Sequence, residues 1–304
     1  MVCNTIKEEE DSMHNYATAL VNKASHLVPN PYRHRIRGHR VLITGAGSGI
    51  GRLMALECAD RGASEVVVWD LSESSAQAVV EELKAAGARA SYYVVDVTDQ
   101  EAVEAAADET GEIDILINNA GIVSGEDFLD NPQENVDRTF AVNVRSLYLT
   151  TRAFLPGMIK RRRGTVVTIA SAAGLTGVAK QTDYSPSKFA AVGFAESLRV
   201  EMKERGHRVN SLVVCPFYIN TGMFEGAKSK APWLLPVLEQ EQVAVHVIDA
   251  IEAGRHQLVL PWTARVAYVG RLLPVRAYDA IAKLIGTSSS MDEFVGRKNP
   301  APKS

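Results

Sequence analysis

The chain has 304 residues, 46% of them hydrophobic and 23% charged, with a formal net charge of −3. That length admits one large α/β domain or at most two smaller ones, and the lack of a global basic field argues against nucleic acid as a partner. Cys3, Cys58 and Cys215 are far apart and form no CxxC pair, which excludes a disulfide framework and a zinc-site spacing and fits a reduced, cytoplasmic compartment.

In chain order, residues 1–38 read as a polar arm or short helix. Its acidic start, MVCNTIKEEEDSMHNYA, lacks the basic and apolar regions of a secretory signal. From Arg40 onward, seven short β-branched runs follow: RVLIT, EVVVWD, ASYYVVDV, IDILIN, GTVVTIAS, RVNSLVVCP and HQLVLP. Between them lie longer stretches with apolar residues at helical spacing, as in Ala76, Val79, Val80 and Leu83. Strands apolar on both faces and separated by helices predict a Rossmann-like, doubly wound parallel sheet of about seven strands. No linker or repeat breaks residues 39–261, so they form one domain. The basic cluster Arg161 to Arg163 reads as a solvated helix end. His207, His246 and His256 read as surface or structural, and no metal site is expected, because no HxxH or HxxxH grouping occurs. In the tail, 262–304, Val266, Val269, Leu273, Ile281 and Leu284 recur at helical spacing around Pro274, with Arg265, Arg271, Arg276 and Lys283 among them. This is a broken amphipathic helix with a basic flank, which can make a peripheral membrane contact.

The junction of the first strand and helix is TGAGSGIG, Thr44 to Gly51. A strand turning abruptly into a helix leaves unpaired N–H groups that suit a phosphate. About 20 residues later, Asp70 ends the strand VVVWD, where an acid accepts hydrogen bonds from ribose hydroxyls and repels a 2′-phosphate. No Arg or Lys follows in LSESS, so NAD is expected over NADP.

The TGxxxGxG spacing, Asp96 in VVDV, NNAG at Asn118 to Gly121 and YSPSK at Tyr184 to Lys188 together resemble the short-chain dehydrogenase/reductase family. The resemblance spans residues 44–222 and implies an oxidoreductase. It implies cofactor contacts from Gly45, Ser48, Gly49, Ile50, Gly51, Asp70, Asp96, Val97, Asn119, Ala120, Gly121, Tyr184, Lys188, Pro216, Ile219 and Thr221. Tyr184 and Lys188, four apart in a helical stretch, share one face, where an ammonium favours the phenolate. In the family's mechanism Tyr184 exchanges the hydroxyl proton, Ser171 hydrogen-bonds the substrate oxygen, Lys188 holds the nicotinamide ribose and Asn143 anchors a water of the proton relay. Taken singly, Tyr184 would read as a surface tyrosine, Ser171 as a helix cap, Asn143 as a residue satisfying backbone, and Lys188 as a solvated charge.

In CPFYINTGMF, Phe217 stands where most family members have glycine, and Cys215 reads as buried packing. A substrate lid is expected at about 222–240, and Phe217, Met223, Phe224 and Trp233 are its expected apolar contacts. CPFYINTGMFEG, PWLLP and SMDEFVGR resemble the branch that includes retinol and 17β-hydroxysteroid dehydrogenases. That resemblance implies a small lipophilic alcohol or carbonyl as substrate: a retinoid, a steroid or a long-chain alcohol. The family also implies a homodimer or homotetramer. The same residues admit two other readings, an NAD(P)H-dependent reductase of a polyketide, fatty-acyl or other ketone, and a non-enzymatic nucleotide-binding scaffold; the second conflicts with the complete set of four catalytic residue types.

Overall fold

The computed structural model describes residues 35–227 and 229–296. Seven parallel strands form one sheet: β1 (Arg40–Thr44), β2 (Glu65–Asp70), β3 (Ala90–Val94), β4 (Ile115–Asn118), β5 (Gly164–Ile169), β6 (Val209–Pro216) and β7 (Gln257–Leu260). Their order is β3-β2-β1-β4-β5-β6-β7, so the direction of winding reverses between β1 and β4. In such sheets ligands bind in the crevice at this switch point, beyond the carboxyl ends of the strands.

Both faces are covered. Helices α1 (Gly49–Asp60), α2 (Glu73–Ala85) and α7 (Gln240–Glu252) pack on one face, where Met54, Val80 and Val247 meet Val41, Val68 and Val214. Helices α3 (Gln100–Thr110), α5 (Ser146–Arg161) and α6 (Tyr184–Glu204) cover the other, where Val103, Phe154 and Met202 meet Leu42, Val67 and Val166. The expected face of α2 is the buried one, Ala76, Val79, Val80 and Leu83. Two-sided burial explains the continuous apolar strands. Before α5, the helix α4 (Gln133–Phe140) passes through a π-helical turn at Ala141–Arg145.

Two boundaries differ from expectation. Residues 1–34 of the expected arm lie outside the described residues, as does Cys3, but Ile36 is fully buried in the core. Its N–H also donates to Glu252 Oε1 at 2.9 Å, so the folded body starts before residue 39. The second boundary concerns the tail, which is part of the domain. A 3₁₀ turn (Trp262–Arg265) leads into α8 (Val266–Gly270) and α9 (Val275–Ile285), with the break at Pro274. Beyond α9 the chain returns to the domain, where Ser290 and Met291 are buried. Arg161 ends α5 and pairs with Glu112 at 2.8 Å, while Arg163 pairs with Asp114 at 2.8 Å, so the basic cluster is a charged helix end. Among the described residues no helix is long and apolar enough to cross a membrane.

Candidate active site

The crevice beyond β1 and β4 holds a cavity of about 270 Å³. Its inner end is the glycine loop. Gly45 has φ +63°, and a Cβ there would stand 2.9 Å from Ala120 Cα, so the loop lies directly on the β4 end. A Cβ on Gly51 would stand 2.3 Å from Gly45 O, so any side chain would push the turn open. Asn119 locks this contact, donating from Nδ2 to the carbonyls of Thr44 and Gly45 at 3.0 Å each. Thr44 Oγ1 in turn accepts the N–H groups of Asn119 and Ala120. Helix α1 starts here with no side-chain cap and no acid in its first turn, leaving its N–H donors directed at the cavity lined by Ser48, Gly49, Ile50 and Gly51.

Asp70 lies at the next strand end. Its carboxylate accepts from Gly47 N–H at 2.8 Å and Ser72 N–H at 3.0 Å, which fixes it in the lining with lone pairs to spare. Asp96 is fixed similarly, accepting from the N–H and Oγ1 of Thr98 at 2.9 and 2.7 Å, beside Val97. Leu71, the next residue in the lining after Asp70, carries no charge. A dinucleotide fits this frame: donors for its diphosphate, a fixed acid for a ribose, and glycines where a Cβ would block the turn.

The reactive end is built on α6. Tyr184 opens the helix and Lys188 lies one turn on. Neither is the surface residue it resembles when taken alone, since both are only 4% exposed. Lys188 Nζ donates to Ile169 O at 3.0 Å and stands 5.6 Å from the centre of the Tyr184 ring. Ser171 follows the β5 strand and lines the cavity with Tyr184, its Oγ donating to Pro216 O at 3.4 Å. It also caps a short 3₁₀ turn by accepting from Ala173 N–H at 3.1 Å. Asn143 sits in the π-helical turn, where such distortions often mark functional sites. Its Nδ2 donates to Ile122 O and Ser187 Oγ, and its Oδ1 accepts from Ile122 N–H, each at 2.9 Å. Ser171 thus caps a turn and Asn143 satisfies backbone, as each reads when taken singly. Asn143 lies behind the cavity wall, not in it.

Electrostatics here differ from the expectation of a phenolate favoured by Lys188. Burial is the largest influence on Tyr184 and pushes its phenol well above the ordinary tyrosine range, against the pull of the Ser171 hydroxyl. Burial also drives Lys188 down to about 8. The reason is geometric: the ammonium is committed to a backbone carbonyl and lies over the ring. Cys215, fully buried behind the site, has its thiol pushed up to about 12 by burial, which suits packing and not reactivity.

The outer wall is apolar. Phe217, Met223 and Phe224 line it with Pro216, Ile219 and Thr221, and Phe224 packs edge-on against Tyr184 at 5.7 Å between ring centres. A Cβ on Gly49 would lie 3.7 Å from Thr221 Cβ, so the glycine loop and the lid face each other across the cavity. The lid's ends are pinned where Ile219 pairs with Leu238. Trp233 departs from its expected place in the apolar wall: it is 77% exposed and outside the lining, because Leu235, two residues on, takes the buried position. Ala120 and Gly121 line the cavity as expected, but Trp69, Val95, Ile122, Val142, Ala170 and Arg138 join them without having been singled out. Among the described residues no cluster of His, Cys, Asp or Glu could hold a metal ion.

A family profile described as short chain dehydrogenase matches residues 39–232. Epidermal retinol dehydrogenase 2 of Homo sapiens is 42% identical over 281 residues, covering 90% of this chain and 90% of that relative. Estradiol 17-beta-dehydrogenase 11 of Rattus norvegicus is 36% identical over 279 residues, covering 90% and 91%. Among solved structures, a short-chain type dehydrogenase/reductase from Mycobacterium marinum superposes with a TM-score of 0.66 at 31% identity, over 74% of this chain and 94% of the other. With the glycine loop, the buried tyrosine and lysine and these relatives in hand, the chain belongs to the short-chain dehydrogenase/reductase family, as an oxidoreductase of the branch that holds the retinol and 17β-hydroxysteroid dehydrogenases.

Proposed function

We propose that the protein interconverts a lipophilic alcohol and its carbonyl with NAD as cofactor, and that Tyr184 handles the proton. The observation that carries the reading is the buried Tyr184, beside Ser171 in the lining and walled by Phe224, at the outer end of a cavity whose inner end presents Asp70. Gly45 to Gly51 would hold the diphosphate, Asp70 the adenosine ribose, Asp96 and Val97 the adenine, and Thr221, with Pro216 and Ile219, the carboxamide. Asp70 disfavours a 2′-phosphate by charge, and Leu71 offers it no partner. When bound, NAD supplies the hydride acceptor at its nicotinamide.

The chain's own residues orient the substrate and move its proton. Ser171 and Tyr184 take the substrate oxygen between two hydroxyls. Tyr184 donates its proton to a carbonyl or accepts one from an alcohol. Lys188 holds the ribose and keeps positive charge near the ring. Asn143 clamps Ile122 to Ser187 of α6 and anchors the water that reconnects Tyr184 to solvent. Phe217, Met223 and Phe224 exclude water and give an apolar alcohol its surface. Burial keeps Tyr184 protonated, which favours the carbonyl-reducing direction at neutral pH, so oxidation should accelerate as pH rises above neutrality.

The test is NADH formation from a long-chain alcohol, with Tyr184→Phe beside the parent. Turnover should fall about 10²- to 10⁴-fold while NAD binding, followed by calorimetry, stays unchanged. A variant with parental turnover contradicts the assignment.

A further inference from the structure

The lid and the last two helices form a layer with two unlike sides. On the inner side Leu234, Ala267 and Ile285 pack on the buried cluster that holds Leu235, Val259 and Ala264, and Phe217, which lines the cavity, packs on the same cluster. On the outer side Trp233, Trp262, Leu272 and Leu284 are 77%, 60%, 84% and 82% exposed, and α8 and α9 bury no residue fully. A hydrogen bond from Thr263 Oγ1 to Leu234 O ties the Trp262 turn to the lid, so both tryptophans belong to one surface.

This surface is also basic. Between residues 262 and 285 the cations are Arg265, Arg271, Arg276 and Lys283, all exposed, against the single acid Asp279, in a chain whose net charge is −3. Exposed tryptophans, a long apolar stripe and flanking cations are the composition of a helix lying in the plane of a membrane interface. A second copy fits less well, because a twofold contact would set this basic flank against itself.

We propose that the outer face of the lid and of α8–α9 lies on an anionic phospholipid surface, with Trp233 and Trp262 among the headgroups, so that the cavity wall at Phe217 is one layer from the lipid. The inference deepens the lipophilic-substrate reading and rests on it for its purpose, but not for its test, which is read without turnover.

The experiment is co-sedimentation of the full chain with phosphatidylcholine vesicles, with and without phosphatidylserine, beside Leu272→Glu/Leu284→Glu and Arg276→Glu/Lys283→Glu variants. Neither variant alters a residue of the cavity. The parent should bind the phosphatidylserine vesicles and be released by salt. The first variant should lose about tenfold or more in partitioning, and the second should lose its preference for phosphatidylserine. Circular dichroism and NAD binding by calorimetry check that the variants are folded. A parent that stays in the supernatant with every vesicle overturns the proposal. So does a parent dimer that Leu272→Glu/Leu284→Glu splits, since the face would then be an interface between copies. Binding without turnover would instead overturn the dehydrogenase reading and leave this one standing.

Discussion

The glycine loop and the lid face each other across one cavity, and they are held by opposite means. On the loop side every group is over-determined: Gly51 has no room for a Cβ, Asn119 bridges two carbonyls, and Asp70 is held by two N–H groups. On the lid side the contacts are rings on rings. Phe224 packs on Tyr184, Tyr218 and Phe294, and the return of the chain is secured by Tyr218 with Ser290 and by Val295 N–H on Glu225 O. Directional hydrogen bonds fix one geometry for an invariant guest, whereas ring packing tolerates changes of shape. A rigid loop wall and an adaptable lid wall follow from that difference.

The comparison can be broken from the loop side first. Gly51→Val must displace Gly45 O or Asn119, an overpacking cost of ~1–3 kcal/mol, which should appear as about a 10- to 100-fold loss in NAD affinity by calorimetry. Unchanged affinity would mean that the turn is not the cofactor cradle. Next in size, Asp70→Ala/Leu71→Arg removes the ribose acceptor and supplies a cation, and should move the NAD/NADP preference toward NADP by about tenfold or more, a coupling near 1.4 kcal/mol. Steady-state kinetics with both cofactors decide this, and a preference that stays with NAD removes Asp70 from its role.

A third prediction concerns Lys188, buried in the cavity lining between the two walls. Its folded-state value is lowered from 10.5 to about 8, so the folded protein holds this proton less tightly than the unfolded chain does. The cost of burying the charge is therefore complete below about 8, shrinks as pH climbs, and is gone above about 10.5. Lys188→Met should be inactive yet more stable than the parent by about 1–3 kcal/mol at neutral pH, after allowing for the lost bond to Ile169. Urea unfolding at neutral pH and again near 10.5 reads this; a gain that persists undiminished at the higher pH would contradict the burial of a charged lysine.

The smallest effect belongs to the lid. Phe294→Ala removes a ring that backs Phe224 and fills the space over Gly125 without lining the cavity. It should raise KM for a bulky alcohol several-fold and leave kcat and NAD affinity nearly unchanged. A fall in kcat with constant KM would place the lid in the chemistry and not in substrate shape.

The same asymmetry explains what could be read from sequence. Strands such as VLIT and VVVW are apolar on both faces, so their number, order of appearance and burial followed from pattern alone. The four-residue spacing of Tyr184 and Lys188 put both on one helix face, and the GTVVTIAS run put Ser171 at a strand end, while their roles were implied by the family resemblance. Trp233 was misplaced because the lid is held by side-chain packing, and the order of Trp233, Leu234 and Leu235 does not say which of them turns inward. The raised phenol of Tyr184 was missed for a related reason: spacing puts Lys188 on its face, but only the fold shows how deeply both are buried and that Nζ is committed to Ile169. Phe294 and Ser290 lie some 70 residues from their partners Phe224 and Tyr218, a pairing that no local pattern signals.

The most direct test of the whole account is a comparison of kcat/KM for NADH formation across all-trans-retinol, a 17β-hydroxysteroid, a long-chain primary alcohol and a small polar alcohol, measured on the parent protein without vesicles. The account predicts turnover confined to one or more of the lipophilic alcohols. Turnover of the small polar alcohol alone would contradict it, leaving the cofactor wall in place and removing the apolar wall from its function.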